Sequence, residues 1–96
     1  MVSLVATLTI KEGKMEEAIQ IIKEIVPKVR SSESGCKAYI PHTVKGRKNK
    51  QKIIFYEKYE DKTALDQHTA NLPKNFEKLF PLLEGGFDLK TCEEII

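Results

Sequence analysis

The chain is poor in the residues that build metal, cofactor and membrane sites. It has no tryptophan and only two cysteines and two histidines, and its five glycines form no phosphate-binding loop. Cys36 and Cys92 lie far apart, with no histidine at a ligand spacing from either, so we expect neither a metal site nor a disulfide. No motif predicts a bound cofactor. No apolar run approaches the roughly 20 residues that span a bilayer, so no membrane partner is expected.

Charge of neither sign is in large excess. Sixteen basic and 14 acidic residues leave a net charge of +2, which is too small to predict a nucleic-acid partner. The basic residues concentrate in the segment Lys45–Lys52, where no aromatic side chain is interleaved. This pattern favours a solvated hairpin loop. If the loop folded over a pocket, it would favour an anionic ligand.

The apolar start Met1–Ala6 lacks the basic residues of a secretion signal, and charge returns at Lys11. We therefore expect a cytoplasmic protein with free thiols in a reducing compartment. Ninety-six residues predict a single domain, 1–96. A chain of this length buries only about 60–65% of the surface that its unfolded form exposes, so it is expected to be marginally stable alone.

Segments rich in β-branched and apolar residues predict four strands, at residues 2–10, 36–44, 53–60 and 87–96. In the second strand, Cys36 and Ala38 are expected on one face and Tyr39 on the other. Pro41 predicts that this strand lies at a sheet edge or beside a bulge, because proline cannot donate a ladder hydrogen bond.

Apolar residues spaced by three and four predict a helix over residues 14–31, which Pro27 is expected to bend or to shorten by one turn. Asp61 is the expected N-cap of a second helix that stops at Leu72-Pro73. A further helix is predicted over residues 76–83.

The element order β-α-β-β-α(α)-β is typical of a ferredoxin-like α+β fold, an antiparallel sheet with helices on one face. The strands are apolar or aromatic on both faces. In a single subunit one of those faces would meet water. We therefore expect a homodimer in which two sheets pack face to face as an α+β barrel.

The densest chemistry lies in Ile53-Ile-Phe-Tyr-Glu-Lys-Tyr59 and the helix that follows it. Glu57 shares a strand face with Phe55 and Tyr59, and a short turn leads to the helix that carries His68. An imidazole with a free pKa of about 6.5 can accept a proton near neutral pH. His68 is therefore a candidate base, or else a packed histidine, and Glu57 is a candidate partner, or else half of an interface ion pair.

Three motifs resemble a known family. They are Ile25-Val-Pro-Lys-Val29, Gly35-Cys-Lys-Ala-Tyr39-Ile-Pro41-His42 and Tyr56-Glu-Lys-Tyr59-Glu-Asp-Lys-Thr-Ala-Leu65-Asp-Gln-His68. They are similar to the antibiotic biosynthesis monooxygenase-like family of dimeric α+β barrels, and above all to its small quinol monooxygenases. The chain departs from the family at Tyr59, where tryptophan is usual, and in having no second histidine in residues 72–76.

The resemblance implies cofactor-free oxidation of a small aromatic quinol or polyphenol by O₂. It implies His68 and Glu57 as the catalytic residues. The side chains expected in the substrate pocket are Tyr59, Tyr39, Phe55, His42 and Phe76. Two other functions stay open on this fold. One is isomerisation of a small phosphorylated carbonyl sugar, as in autoinducer-2-phosphate processing, and the other is ligand binding without turnover.

Overall fold

The computed structural model describes all 96 residues. The strands and helices are β1 (Val2–Thr9), α1 (Met15–Ser32), β2 (Cys36–Thr43), β3 (Lys52–Tyr59), α2 (Lys62–Asn75) and β4 (Asp88–Glu93). Short 3₁₀ turns occupy Arg47–Asn49 and Phe80–Leu82. No helix of the chain is both long and apolar enough to cross a membrane.

The four strands form one antiparallel sheet in the order β2-β3-β1-β4. This order and the two helices confirm the predicted ferredoxin-like α+β fold. Side chains alternate along β1, so that Leu4, Ala6 and Leu8 are buried. The main core cluster joins this face of the sheet to the apolar stripe of α1, which includes Ile22 and Val29.

Prolines interrupt the helices less than the sequence predicts. Helix α1 continues through Pro27 to Ser32, and α2 continues through Pro73 to Asn75. Both prolines are exposed. Each proline leaves the carbonyl group four residues earlier without its helical hydrogen bond. These carbonyl groups belong to Lys23 and Thr69, which are exposed, so water can hydrogen-bond to them.

The prediction of a further helix over residues 76–83 is wrong. Residues 76–82 form only turns and the 3₁₀ segment Phe80–Leu82. Pro81 has no N–H to donate, and the chain then turns at Gly85, which adopts φ +74°. Phe76 is nevertheless buried in the core, because the turn still folds back over the sheet.

Strand β2 lies at an edge of the sheet, as Pro41 predicts. A register shift between Cys36 and Ala38 pairs Cys36 with Tyr59 and Ala38 with Lys58. The expectation that Cys36 and Ala38 share a face is therefore wrong, because the bulge turns Cys36 toward the helix side of the sheet.

Strand β4 ends at Glu93, three residues earlier than predicted. It forms the other edge of the sheet, so Cys36 on β2 and Cys92 on β4 are separated by three strand spacings, about 14 Å. A disulfide requires Cα atoms within about 7 Å of each other. The two thiols of one chain therefore cannot form a bridge while the sheet is intact.

Candidate active site

A cavity of about 50 Å³ lies on the helix side of the sheet, beneath α2. Nine of its lining residues are hydrophobic: Leu4, Ala6, Leu8, Tyr39, Phe55, Leu72, Phe76, Phe87 and Leu89. The other three are Glu57, His68 and Thr69. Thr69 on α2 and Leu89 on β4 are exposed, so the cavity opens to solvent between these two elements.

Strand β3 supplies the floor of the cavity. The two-residue alternation turns Phe55, Glu57 and Tyr59 toward the helices, and all three are buried. Antiparallel pairing sets Glu57 directly between Tyr39 on β2 and Leu4 on β1. A carboxyl group in the middle of the sheet is therefore surrounded by aromatic and aliphatic side chains.

Helix α2 supplies His68. The Asp61 side chain accepts a hydrogen bond from the Ala64 N–H (2.9 Å), which confirms the predicted N-cap. Ala64 and His68 lie one turn apart on the buried face of α2. Gly35 allows this face to approach the start of β2, because a Cβ atom at Gly35 would lie 2.5 Å from the Ala64 Cβ atom.

The His68 imidazole lies between two carboxyl groups. Its Nδ1 atom is 2.9 Å from Glu33 Oε1, and its Nε2 atom is 3.5 Å from Glu57 Oε1. The Tyr59 hydroxyl donates to the same Glu57 oxygen at 2.6 Å. All four residues are buried, so these contacts are shielded from solvent.

Burial raises the pKa of Glu57 to about 7. The hydrogen bond from Tyr59 opposes this pKa rise, and the nearby charge of Glu33 adds to it. A carboxyl group with this pKa is partly protonated at neutral pH, so it can both accept and donate a proton there.

Tyr39 presents a phenol group at the cavity wall. Its hydroxyl is buried and has no hydrogen-bond partner within the protein. Burial raises the pKa of Tyr39, and the charges of Glu57 and Glu33 raise it further. The group therefore stays protonated and can donate a hydrogen bond to an oxygen in the cavity. Its ring packs against His68, with centroids 5.2 Å apart.

The structure brings most of the predicted site residues together. His68, Glu57, Tyr39, Phe55 and Phe76 line the cavity. Tyr59 lies behind Glu57, since it contacts that carboxyl group without lining the cavity.

His42 is separate from this group. It is exposed at the far end of β2, where it lines a different surface depression together with Ile19 and Pro41. The structure therefore corrects the expectation that His42 lies in the substrate pocket. No residue of Lys45–Lys52 lines the cavity either, so the basic loop does not fold over it.

Glu33 is the functional candidate that sequence reasoning missed. It is the C-cap of α1, 35 residues before His68, and is buried. A weak signal was present, because an acidic residue at a helix C-terminus faces the negative end of the helix dipole. That signal alone does not distinguish a buried carboxylate from an exposed one.

The site has the wrong geometry for a metal ion. Glu33 and Glu57 contact opposite nitrogens of the His68 ring, so the three side chains do not converge on one point. No group of three or more His, Cys, Asp or Glu side chains anywhere in the chain is arranged to hold a metal.

Residues 1–73, from β1 through most of α2, match the family model described as antibiotic biosynthesis monooxygenase. The chain belongs to the antibiotic biosynthesis monooxygenase family. The matched segment contains Glu33, Glu57, Tyr59 and His68. Family membership confirms the resemblance to this family that the three sequence motifs indicated. A comparison with curated protein sequences finds no match.

Solved structures agree with this family assignment. Protein SO0527 from Shewanella oneidensis is 30% identical, with a TM-score of 0.79 over 95% of this chain and 87% of that protein. An antibiotic biosynthesis monooxygenase is 25% identical, with a TM-score of 0.80 over 100% of both chains. A candidate monooxygenase of this family from Caulobacter crescentus CB15 shares the fold, with a TM-score of 0.85, 21% identity and coverage of 99% and 90%.

Proposed function

We propose that this family member is a cofactor-independent monooxygenase that oxidises a small quinol or polyphenol with O₂. The observation that carries the proposal is the pairing of His68 with Glu57 at the wall of an otherwise apolar cavity. Such a cavity suits a neutral aromatic ring, and the paired groups suit removal of a hydroxyl proton from it.

The substrate supplies all the electrons that this reaction needs. One oxygen atom of O₂ enters the ring and the other leaves as water, so a hydroquinone becomes a hydroxyquinone and loses four electrons. Reaction with O₂ begins once the diol is deprotonated, because the anion gives up an electron more readily than the neutral ring. Phenols have a pKa of about 10, so a nearby base is needed at neutral pH.

Three side chains have proposed roles in that deprotonation. His68 accepts the hydroxyl proton, and Glu57, whose pKa is raised to about 7, lies within 3.5 Å of the imidazole to share it. Tyr39 donates a hydrogen bond to an oxygen of the substrate, because its buried hydroxyl has no partner within the protein. Phe55 and Phe76 pack against the ring.

The charge of the cavity argues against a phosphorylated sugar. No lysine or arginine is among the lining residues, and the ionisable ones are Glu57, His68 and Tyr39. A phosphate dianion brought beside a buried carboxyl group without a cation would incur a large desolvation cost. A neutral quinol incurs no such cost.

The size of the cavity indicates where the substrate would extend. A cavity of roughly 150 Å³ holds benzene, whereas this one measures about 50 Å³. We therefore propose that the ring lies partly in the opening beside Phe87 and Leu89, with one hydroxyl inserted toward His68. Leu89 is about half exposed at this opening.

We also propose that the protein acts as a homodimer. The sheet face opposite the helices carries Val5, Ile40, Ile54 and Tyr56 in adjacent register positions. Ile40 and Tyr56 are exposed. A second copy packed on this face would remove these apolar side chains from water.

Oxygen consumption by the purified protein against a panel of reduced quinones tests the proposed activity. We expect turnover above the autoxidation blank and, in His68→Ala, a loss of about 10²–10⁴-fold, which is the usual contribution of a general base. His42→Ala is the matched control, because His42 is exposed and lies outside the cavity.

Equal rates for wild type and His68→Ala would remove His68 as the base. No turnover of any quinol by the wild-type protein would reject the monooxygenase proposal and leave ligand binding without turnover as the alternative.

A further inference from the structure

We infer that Glu33 is a positioning residue that decides which nitrogen of the His68 ring carries the proton. Its carboxylate accepts a hydrogen bond from Nδ1–H, so Nε2 is left with the free electron pair. The contact between Glu33 Oε1 and Nδ1 is 2.9 Å long and buried. The effect of Glu33 on catalysis rests on the proposed function, whereas its effect on the position of the proton on the His68 ring does not.

The backbone holds Glu33 firmly in place. Its N–H donates to the Val29 carbonyl, and its own carbonyl accepts from the Cys36 N–H, both at 3.0 Å. Glu33 therefore joins the end of α1 to the start of β2. The packing of Gly35 against Ala64 then brings α2, and with it His68, up to this junction.

Stability alone does not explain a carboxyl group in this position. Glu33 is only 4% exposed, and its Oε2 atom has no hydrogen-bond partner. It also lies at the negative end of the α1 dipole. Burying a carboxylate that has an unpaired oxygen, at the negative end of a helix dipole, costs free energy of folding. Unfavourable placements of this kind are expected at functional sites.

Two of the cavity-lining side chains, His68 and Glu57, each contact a buried partner that does not itself line the cavity. Glu33 supports His68, and Tyr59 supports Glu57, while neither support lines the cavity itself. With the proton on Nδ1, the basic Nε2 atom faces Glu57. When Nε2 accepts a proton, the imidazolium that forms lies between the carboxyl groups of Glu33 and Glu57.

The ¹⁵N NMR spectrum of the imidazole rings tests this inference directly, because the chain has only two histidines. Recorded where both rings are neutral, the His68 signals should show the Nδ1–H form in the wild-type protein. In Glu33→Gln we expect this preference to be lost, because an amide can donate to Nδ1 as well as accept from it. The exposed His42 is the internal reference.

Glu24→Gln is the matched control, since Glu24 is an exposed glutamate on the same helix. Its His68 signals should equal those of the wild type. If Glu33→Gln does not fold, Glu33→Asp, which keeps the charge but withdraws it by one methylene, should show a weaker preference for Nδ1–H. Unchanged His68 signals in the folded Glu33 variant, or a wild-type ring protonated on Nε2, would overturn the inference.

Steady-state kinetics give a second readout. Glu33→Gln should lower kcat by about ten-fold or more, as loss of a ring-orienting partner does elsewhere, with KM nearly unchanged because Glu33 does not touch the cavity. If the wild-type protein turns over no quinol, the proposed function fails while the NMR result still decides the role of Glu33.

Discussion

At the scale of single residues, Glu57 is the candidate catalytic residue whose pKa is raised by burial. Its pKa is about 7 in the folded protein and about 4.5 in an unfolded chain, chiefly because of burial. Between these two pH values the folded state holds a proton that the unfolded state has released. Glu57 therefore contributes stability below about pH 4.5, and this contribution is lost as pH rises through 7.

Replacing the carboxyl group with an amide should remove this pH dependence. The free energy of unfolding of the wild type, relative to Glu57→Gln, should fall by about 1–3 kcal/mol between pH 4.5 and pH 8. Urea denaturation of both proteins at a fixed protein concentration measures this difference in the free energy of unfolding. The titratable groups around Glu57, which are present in both proteins, are Tyr59, His68, Glu33, Tyr39 and Cys36.

Glu24→Gln again provides the control, because an exposed glutamate should not change the slope. A Glu57→Gln curve that runs parallel to the wild-type curve would show that Glu57 keeps an ordinary pKa in the folded protein.

At the scale of elements, the candidate active site depends on how closely α2 approaches the junction between α1 and β2. The Glu60 N–H donates to the Gly35 carbonyl at 2.9 Å, and Ala64 packs directly on the Gly35 Cα atom. His68 follows Ala64 by one helical turn, so its distance from Glu33 is set largely by this contact.

A methyl group at position 35 should therefore disturb the contact between His68 and Glu33, although residue 35 lies outside the cavity. Gly35→Ala forces α2 to shift, and we expect a loss of about 1–3 kcal/mol in stability together with weaker Nδ1–H preference at His68. Gly86→Ala is the control, because a Cβ atom there meets nothing within 4 Å. Thermal unfolding and the ¹⁵N spectrum measure both effects.

A second change should restore the contact. Ala64→Gly in the Gly35→Ala background removes the opposing methyl group, so the His68 signals should return toward those of the wild type even though glycine costs about 1 kcal/mol in a helix. Wild-type signals in Gly35→Ala alone would mean that this contact does not set the geometry of the site.

At the scale of the whole molecule, the sheet has one covered face and one open face. On the open face, Val5 pairs with Tyr56 and Thr7 pairs with Ile54. Lys52, Lys58 and Lys90 occupy the same face nearer its margins, so its centre is apolar and its border is charged. An apolar centre with a polar rim is typical of a subunit interface.

We expect light scattering across a dilution series to give about twice the 11.0 kDa chain mass. Ile54→Lys should convert the protein to a monomer, because it buries an unpaired charge in the interface. Ile54→Val should remain dimeric. A wild-type protein that is monomeric at micromolar concentration would contradict the barrel dimer, and so would an Ile54→Lys variant that stays dimeric.

The sequence by itself determined the order of the four strands and the two main helices, the alternation that places Phe55, Glu57 and Tyr59 on one strand face, and the Asp61 cap. These features follow from strand and helix periodicity or from a cap within three residues, so neighbouring residues are enough to reveal them. The edge position of β2 was one of the two alternatives that Pro41 predicted, the other being a bulge, because proline cannot donate a ladder hydrogen bond.

Only the tertiary structure decided which of these side chains meet. Glu33 reaches His68 across 35 residues of chain, the bulge after Cys36 reverses the side on which that residue lies, and His42 ends up in a different depression from the cavity. Such contacts depend on how elements distant in sequence pack together. A local pattern holds no information about that packing, because the free energy that selects it comes from burial over the whole sheet and both helices.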